Sequence, residues 1–336
     1  MKVRALATFL VLVSCHPREK PRRLNFYCST PVEWCEKMKG EFERETGVEV
    51  SMLRKSTGEM FAQIWAERKN PKGDVWWGGT GDSHIQGATA KISEPFHPEL
   101  ERELRPWAID PAKSGEYRTT GIYMGILGFG YNSEWLAKKN IAPPGSWTDL
   151  LDPRFRGEIQ MANPASSGTA YTALVTFVTL FGEDAAFDYL KKLDRNITQY
   201  TKSGAAPVRA AARGEAGVGI VFVADAYAER DSGFPIVPVI PPEGTGYEIG
   251  CMSLLRGARH PEEARRFANW ALEARVQSWA GEVKMYQFLS NRTATAARGG
   301  PKLADVKLLD IDLDRFSKKE ERERLLERFR TEVRAQ

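Results

Sequence analysis

GEIQMANPASSGTAYTALVTFVTLFG, residues 157–182, reads as a strand that turns directly into a helix. From Ala173 onward the helix half is apolar on nearly every side, the pattern of an interior helix. At its mouth Ser166, Ser167, Gly168 and Thr169 stand side by side. One hydroxyl is enough to cap a helix. Here three hydroxyls and a glycine crowd the place where backbone N–H groups have no partner within the helix. Donors gathered at the positive end of a helix dipole suit an anion.

The same unit recurs upstream. RLNFYCST (23–30) is a β-rich run, and PVEWCEKMKGEFERETG (31–47) is a helix opened by proline and closed by glycine. Along that helix Val32, Cys35, Met38, Phe42 and Thr46 recur at helical spacing. VEVSMLRK (48–55) is a second strand, STGEMFAQIWAERKN (56–70) a second helix and DVWWGG (74–79) a third strand. A βαβαβ series implies a parallel sheet with helices on its faces.

Downstream, DAAFDYLKKLDRN (184–196) and SGAAPVRAAARGE (203–215) are helical, and VGIVFVAD (218–225) is a strand. Two long extended runs, EYRTTGIYMGILGFGYNSEWL (116–136) and YEIGCMSLLRGA (247–258), suit strands that pass between two lobes. The glycines of GILGFG serve hinge and packing there. HPEEARRFANWALEARVQSWAG (260–281) is a helix whose apolar face is core. The charged C-terminal stretch from Lys318 is a helix with Leu325, Leu326, Phe329 and Val333 on its packed face. The division expected is 23–120 with 247–300 as a first α/β lobe, 121–246 as a second, and 301–336 as C-terminal helices packed on the body.

The chain has 336 residues, 42% hydrophobic and 27% charged, enough for two lobes with separate cores. Its 48 basic and 44 acidic residues are mixed along the sequence, and no basic stripe marks a nucleic-acid binder. MKVRALATFLVLVSC opens with Lys2 and Arg4, followed by an apolar stretch from Ala5 to Val13, the pattern of a secretory signal. That stretch is shorter than the roughly 20 residues of a membrane span. Its Leu-Val-Ser-Cys ending resembles a bacterial lipobox, with a plain signal peptide and a chance cysteine as the alternative. Cleavage there removes residues 1–14, leaves Cys15 as a diacylated N-terminus and makes 15–22 a polar tether. An exported protein is expected, periplasmic or at the cell surface and held to a membrane by lipid. For Cys28 and Cys35 the sequence leaves a bridge and two free thiols equally open, and Cys251 reads as a buried thiol.

Each strand-to-helix turn repeats the opening theme: Ser29 and Thr30, then Thr57 and Gly58 after Ser56, then Gly79 and Thr80. The second lobe adds Ser166 to Thr169, and Gly204 with Ala205. In an open α/β sheet such turns converge at the C-terminal ends of the strands. His84 and Asp82 lie beside this cradle, His84 as an anion donor or a structural residue. Of Trp76 and Trp77, one is expected in the core and one along the cleft.

DVWWGGTGDSHIQ, LDPRFRGEIQMANPASSGTAY, KSGAAPVRAAARGE and GTGYEIG together resemble the periplasmic solute-binding proteins of ABC importers. The nearest branch holds ferric-ion, hexose-phosphate and phosphonate binders. The resemblance implies an α/β two-lobe clamshell of type II, with two crossover strands and a ligand cleft at the hinge. It also implies capture of a small anionic ligand by lobe closure and delivery to a permease in the cytoplasmic membrane. The ferric binders use adjacent tyrosines after the strand that here reads VGIVFVADAYAERD, where Tyr227 stands alone, and the four histidines are scattered. Asp225, with Glu248, is similar to the carboxylate pair by which hexose-phosphate binders hold sugar hydroxyls, although Ala224 replaces the histidine of their His-Asp pair. Both could instead be structural, capping or pairing with arginines. Two carboxylates repel a neighbouring phosphate. The ligand expected is therefore bipolar, a sugar phosphate or an aminoalkylphosphonate, with ferric iron as the alternative. HExxH, GxSxG and Walker patterns are absent, so the chain reads as a binder without catalytic residues, metal or cofactor. A monomer without nucleic-acid partners is expected.

Overall fold

The computed structural model describes residues 22–334, so the signal peptide, Cys15 and nearly all of the tether lie outside the described residues. The elements are β1 (Arg23–Cys28), α1 (Val32–Thr46), β2 (Glu49–Arg54), α2 (Thr57–Glu67), β3 (Val75–Thr80), α3 (Gly81–Thr89) and α4 (Pro106–Ser114). Next come β4 (Thr120–Asn132), α5 (Ser133–Lys138), β5 (Ile159–Ala162), α6 (Gly168–Phe181), α7 (Glu183–Asp194), β6 (Ile197–Thr201) and α8 (Ala206–Ala212). Then follow β7 (Val218–Phe222), α9 (Val223–Asp231), β8 (Ile236–Val239), β9 (Tyr247–Leu254), α10 (Pro261–Trp270), α11 (Ala274–Ser278) and β10 (Phe288–Leu289). The chain ends in α12 (Leu313–Phe316) and α13 (Lys319–Arg328).

β1 pairs in parallel with both β2 and β3, as the βαβαβ pattern of residues 23–80 requires. In the other half β5 lies between β6 and β7, again in parallel. The 13-residue β4 joins the halves. From Thr120 to Ile126 it pairs with β9, and from Leu127 to Tyr131 it pairs with β7. The result is a ten-stranded sheet in which the two long strands lie side by side. Packing is tight where β8 lies against the second half of β4: a Cβ on Gly128 would stand 2.3 Å from the Val239 carbonyl oxygen.

Two apolar cores flank the seam. The first gathers Leu24, Phe26, Trp34, Phe42, Trp77, Phe267 and Leu272. The second gathers Phe129, Trp147, Tyr171, Phe177, Phe187 and Leu190, and extends to Phe316, Leu325, Phe329 and Val333. The C-terminal segment therefore packs on the second core. Its helices begin only at Leu313; residues 301–312 carry a single 3₁₀ turn and an isolated bridge from Leu308 to Thr245. Outside, Arg324 and Arg328 reach Glu183, and the Arg324 hydrogen bonds hold its carboxyl down to about 2.

The expected apolar face of α1 needs correction. Val32 is 41% exposed and Thr46 half-buried, while Trp34 is buried with Cys35, Met38 and Phe42. Val32 is the first helical residue and projects ahead of the core, whereas Trp34 meets Trp77 edge-on with ring centroids 4.9 Å apart.

A disulfide joins Cys28, the last residue of β1, to Cys35 in α1. It closes a short loop that holds Ser29, Thr30 and Pro31 in place. Cys251 is a free, buried thiol. Replacing both bridged cysteines by serine is expected to cost about 2.5 kcal/mol, the loop-closure term for so short a loop. Chemical denaturation should show that loss, and dithiothreitol should reproduce it in the native chain but leave the double variant unchanged.

Candidate functional site

Because parallel strands end at one edge of the sheet, the turns that leave them meet in one place. The cleft there encloses about 460 Å³, open solvent at its mouth included. Ser29, Thr30, Thr57, Gly79, Thr80, Ser167, Gly168, Thr169, Gly204, Ala205, Asp225 and Glu248 line it. These are twelve of the fourteen residues selected from sequence. The other two, Gly58 and Ser166, face one another outside the lining: the Gly58 N–H donates to the Ser166 carbonyl at 3.1 Å. That bond ties α2 of the first half to the turn before α6 of the second.

The first N–H groups of α6, those of Gly168 and Thr169, have no partner within the helix. Hydroxyls surround them. A Cβ on Gly168 would stand 2.5 Å from Thr80 Oγ1 and 2.9 Å from Thr57 Oγ1. One on Gly204 would meet Thr169 Oγ1 at 2.1 Å and Ser167 Oγ at 3.1 Å. Only glycine permits these approaches. Thr80 Oγ1 is buried with no hydrogen-bond partner, and so is Gln287 Oε1, which also lines the cleft. Buried polar atoms left unpaired are costly, so both are candidates to meet a ligand.

Six lining residues were missed from sequence: Pro31, Arg54, Ser56, Tyr123, Phe222 and Gln287. Arg54 ends β2, and its Nε–H donates to the Thr30 carbonyl at 3.0 Å. Burial lowers its pKa, with Arg209 adding to the effect. Its place at the end of a strand was a usable signal, since the same argument had selected Ser29. Tyr123 lies in mid-β4, its hydroxyl 3.2 Å from the Gly79 N–H that donates to it. Nothing in the sequence around Gln287 marks it.

Neither tryptophan lines the cleft. Trp77 belongs to the first core, and Trp76 packs on the opposite face of the sheet with Met60 and Ile64. Trp76 acts on the site at one remove, its indole N–H donating to Ser29 Oγ at 3.0 Å. His84 is likewise structural. It stacks on Trp76 at 3.6 Å, with Nδ1 2.7 Å from Ser253 Oγ and Nε2 3.1 Å from the Gly78 carbonyl. Burial pushes its pKa down to about 3, so it is neutral at physiological pH. Asp82 is paired with Arg322 of α13.

Asp225 and Glu248 carry the electrostatics. Among the described residues neither makes a hydrogen bond or an ion pair within 4 Å, so the structural reading of the two loses its partners. Arg209, the nearest candidate, is committed to Glu33 at 3.0 Å, across from α8 to α1. Burial pushes the Asp225 carboxyl up to about 7, against the pull of Arg209. Burial also pushes Glu248 well above its ordinary value, and Asp225 adds to that. Tyr227 lies off the cleft, its ring 5.8 Å from that of Tyr286. Among the described residues no group of three or more His, Cys, Asp or Glu is placed to hold a metal ion.

Residues 85–310 match the family of bacterial extracellular solute-binding proteins. The chain is 42% identical to a solved structure, the periplasmic binding protein AfuA from Actinobacillus pleuropneumoniae with exogenous fructose-6-phosphate bound. That likeness covers 94% of this chain and 100% of the other, with a TM-score of 0.91. The periplasmic binding protein P5PA is 37% identical over 93% of this chain and 99% of its own, with a TM-score of 0.89. A protein of Salmonella typhimurium named "Putative 2-aminoethylphosphonate-binding periplasmic protein" is 28% identical, covering 86% of this chain and 88% of its own length. A two-lobed sheet with donors converging at strand ends is the build of a solute-binding protein. The chain belongs to the bacterial extracellular solute-binding proteins, in the branch of ABC-importer components that bind sugar phosphates, phosphonates and ferric ion.

The raised Asp225 carboxyl has a consequence for stability. A folded state that holds the proton more tightly than the unfolded chain loses stability as pH rises from about 4 through about 7. Asp225→Asn should remove that part of the decline. Thermal unfolding of the unliganded protein is expected to show the variant melting above the wild type at pH 8 and level with it at pH 4.

Proposed function

We propose that the protein captures a small phosphorylated organic ligand, a sugar phosphate, between two lobes and delivers it to a membrane permease. The lobes are 23–120 with 247–300, and 121–246. The ligand-binding residues are the fourteen selected from sequence less Gly58 and Ser166, with Arg54, Tyr123 and Gln287 added. The observation that carries this reading is the chemistry of the cleft. N–H groups at the start of α6, several hydroxyls and Arg54 share it with two carboxylates, Glu248 buried and Asp225 half-buried, that have no partner among the described residues.

A phosphate dianion takes the donors, with the guanidinium of Arg54 offsetting charge. Sugar hydroxyls then donate to Asp225 and Glu248, which supplies the partners their burial demands. Donors from both halves of the sheet line the cleft, so only the closed form makes every contact, and the ligand selects it. The bound fructose-6-phosphate of a relative 42% identical supports the sugar. A second reading, an aminoalkylphosphonate, is favoured by the same carboxylates, which suit an ammonium, and by the Salmonella relative. Ferric iron fits less well, because N–H and hydroxyl donors repel a cation and Tyr123 is the sole tyrosine among the lining residues. Action is by binding alone. The protein works outside the cytoplasmic membrane, and Cys15 is its lipid anchor.

A thermal-shift panel on protein unfolded and refolded to strip bound ligand tests this. Fructose 6-phosphate, glucose 6-phosphate, 2-aminoethylphosphonate, inorganic phosphate and ferric citrate form the panel. A ligand at about 100 times its Kd adds roughly 2.7 kcal/mol, a rise of several degrees. We expect that rise with a hexose phosphate, and a rise with iron alone would overturn the proposal. Asp225→Ala should weaken hexose-phosphate binding by tenfold or more, measured by calorimetry, and inorganic phosphate far less. Equal losses would make Asp225 structural.

A further inference from the structure

Sequence alone shows no basic stripe, but the fold assembles a basic face. Arg68, Lys69 and Lys72 precede β3, Lys91 follows α3, and Arg256 and Arg259 follow β9. The register brings these segments to one end of the first sheet half. β9 runs antiparallel to β3 with Leu254 opposite Val75, so the chain leaving β9 meets the chain entering β3. The Arg259 N–H donates to Asp74 and its guanidinium to Asn70, while Arg256 reaches the Lys91 carbonyl.

All six cations are exposed, and none has an acidic partner within 4 Å among the described residues. Arg68, Lys69, Lys72, Lys91 and Arg256 line one groove with a single acid, Glu67. That carboxylate is already engaged by the Tyr27 hydroxyl and the Gln63 amide. Elsewhere at this end Glu49 and Glu263 are paired with Arg23 and Arg22. The face is thus a net positive surface: Arg68 stacks on Trp65 and the arginines bond neutral groups, but no carboxylate among the described residues neutralises the six cations.

It also lies where the chain enters. The Asp74 N–H donates to the Asn25 carbonyl and the Asn25 N–H to the Asp74 carboxylate, so Arg22 and Arg23 emerge beside Lys72. Arg22 lies seven positions after Cys15, and even fully extended those seven steps span only about 25 Å. If Cys15 is acylated, as proposed above, this end of the first half is held at the bilayer. The ligand cleft opens at the other end of the same six-residue strands, roughly 20 Å away.

We propose that this basic face seats the protein on anionic lipid headgroups between deliveries, with the cleft clear of the bilayer to collect ligand, and that the protein leaves this seat to meet the permease. The proposal rests on the anchor reading for its orientation and on charge complementarity for its contact. Each cation near an anionic bilayer contributes about 1 kcal/mol, screened beyond a Debye length. Short tethering raises the effective concentration of face and lipid, so that this weak attraction populates the seat without making it permanent.

The test uses mature chain beginning at residue 16, hence without lipid, and vesicles of phosphatidylcholine with or without phosphatidylglycerol. Sedimentation should show binding to the anionic vesicles that falls at least tenfold in a Lys69→Glu, Lys72→Glu, Lys91→Glu variant. The same net change at Lys138, Lys192 and Lys302, also exposed but on other surfaces, should cost less than about twofold. Melting temperatures report that each variant is folded. As a check on the wild type, raising salt from about 25 to 250 mM should abolish binding. No preference for anionic vesicles, or equal loss in both variants, would overturn the face. A native chain whose Cys15 carries no diacylglyceryl group by mass spectrometry would overturn the tethered orientation separately.

Discussion

Everything in this molecule hangs on β4 being hydrogen-bonded to both halves of the sheet. Six of its residues between Thr120 and Ile126 pair with β9 and the next five with β7, without a break in the chain. Parallel strands on either side then present their C-terminal ends toward the same seam. A βα turn exposes helix N–H groups at its strand end, so five such turns make a cleft rich in donors. Glycine on α6 and before α8 lets the hydroxyls of facing turns come within contact. The cost of the arrangement is a set of buried polar atoms with no partner, Thr80 Oγ1 and Gln287 Oε1 among them.

The two carboxylates sharpen that cost into selectivity. Asp225 and Glu248 are both driven toward the protonated form by desolvation, and Asp225 adds to the rise of Glu248. A ligand that brings its own hydroxyl or ammonium donors would supply partners to the ionised form of both groups. On the proposed reading a ligand must both fill the anion cradle and give the two acids their partners. That two-sided requirement is why the charge balance of the cleft says more about the ligand than its shape does.

Contacts that tie one half to the other surround the cleft: Gly58 to Ser166, Glu33 to Arg209, and Asp82 to Arg322. Arg322 is buried, stacked over Tyr171, and reaches the first half from a helix packed on the second core. The C-terminal segment is therefore part of the frame that sets how the halves meet.

Local rules read from the chain recovered much of this. Alternating strand and helix patterns gave the parallel halves, and cap chemistry marked Ser29, Thr30, Thr57 and Ser167 to Thr169 as neighbours in space. Those features are legible because they depend on residues close together in sequence. What depends on distant pairing was not legible. Trp76 and Trp77 both entered cores because β3 is covered on two faces, which their order in the chain cannot reveal. His84 became structural because Trp76 and Ser253 enclosed it. Arg54, Tyr123 and Gln287 joined the cleft, and the cysteine bridge formed, only once sheet register fixed their positions. The basic face likewise exists only because β3 and β9 run antiparallel. Sequence determined which residues carry donors, acids and caps; tertiary structure decided which of them meet, because sheet register brings together residues up to 258 positions apart, as Asp225 and Gln287 meet Ser29 in the cleft.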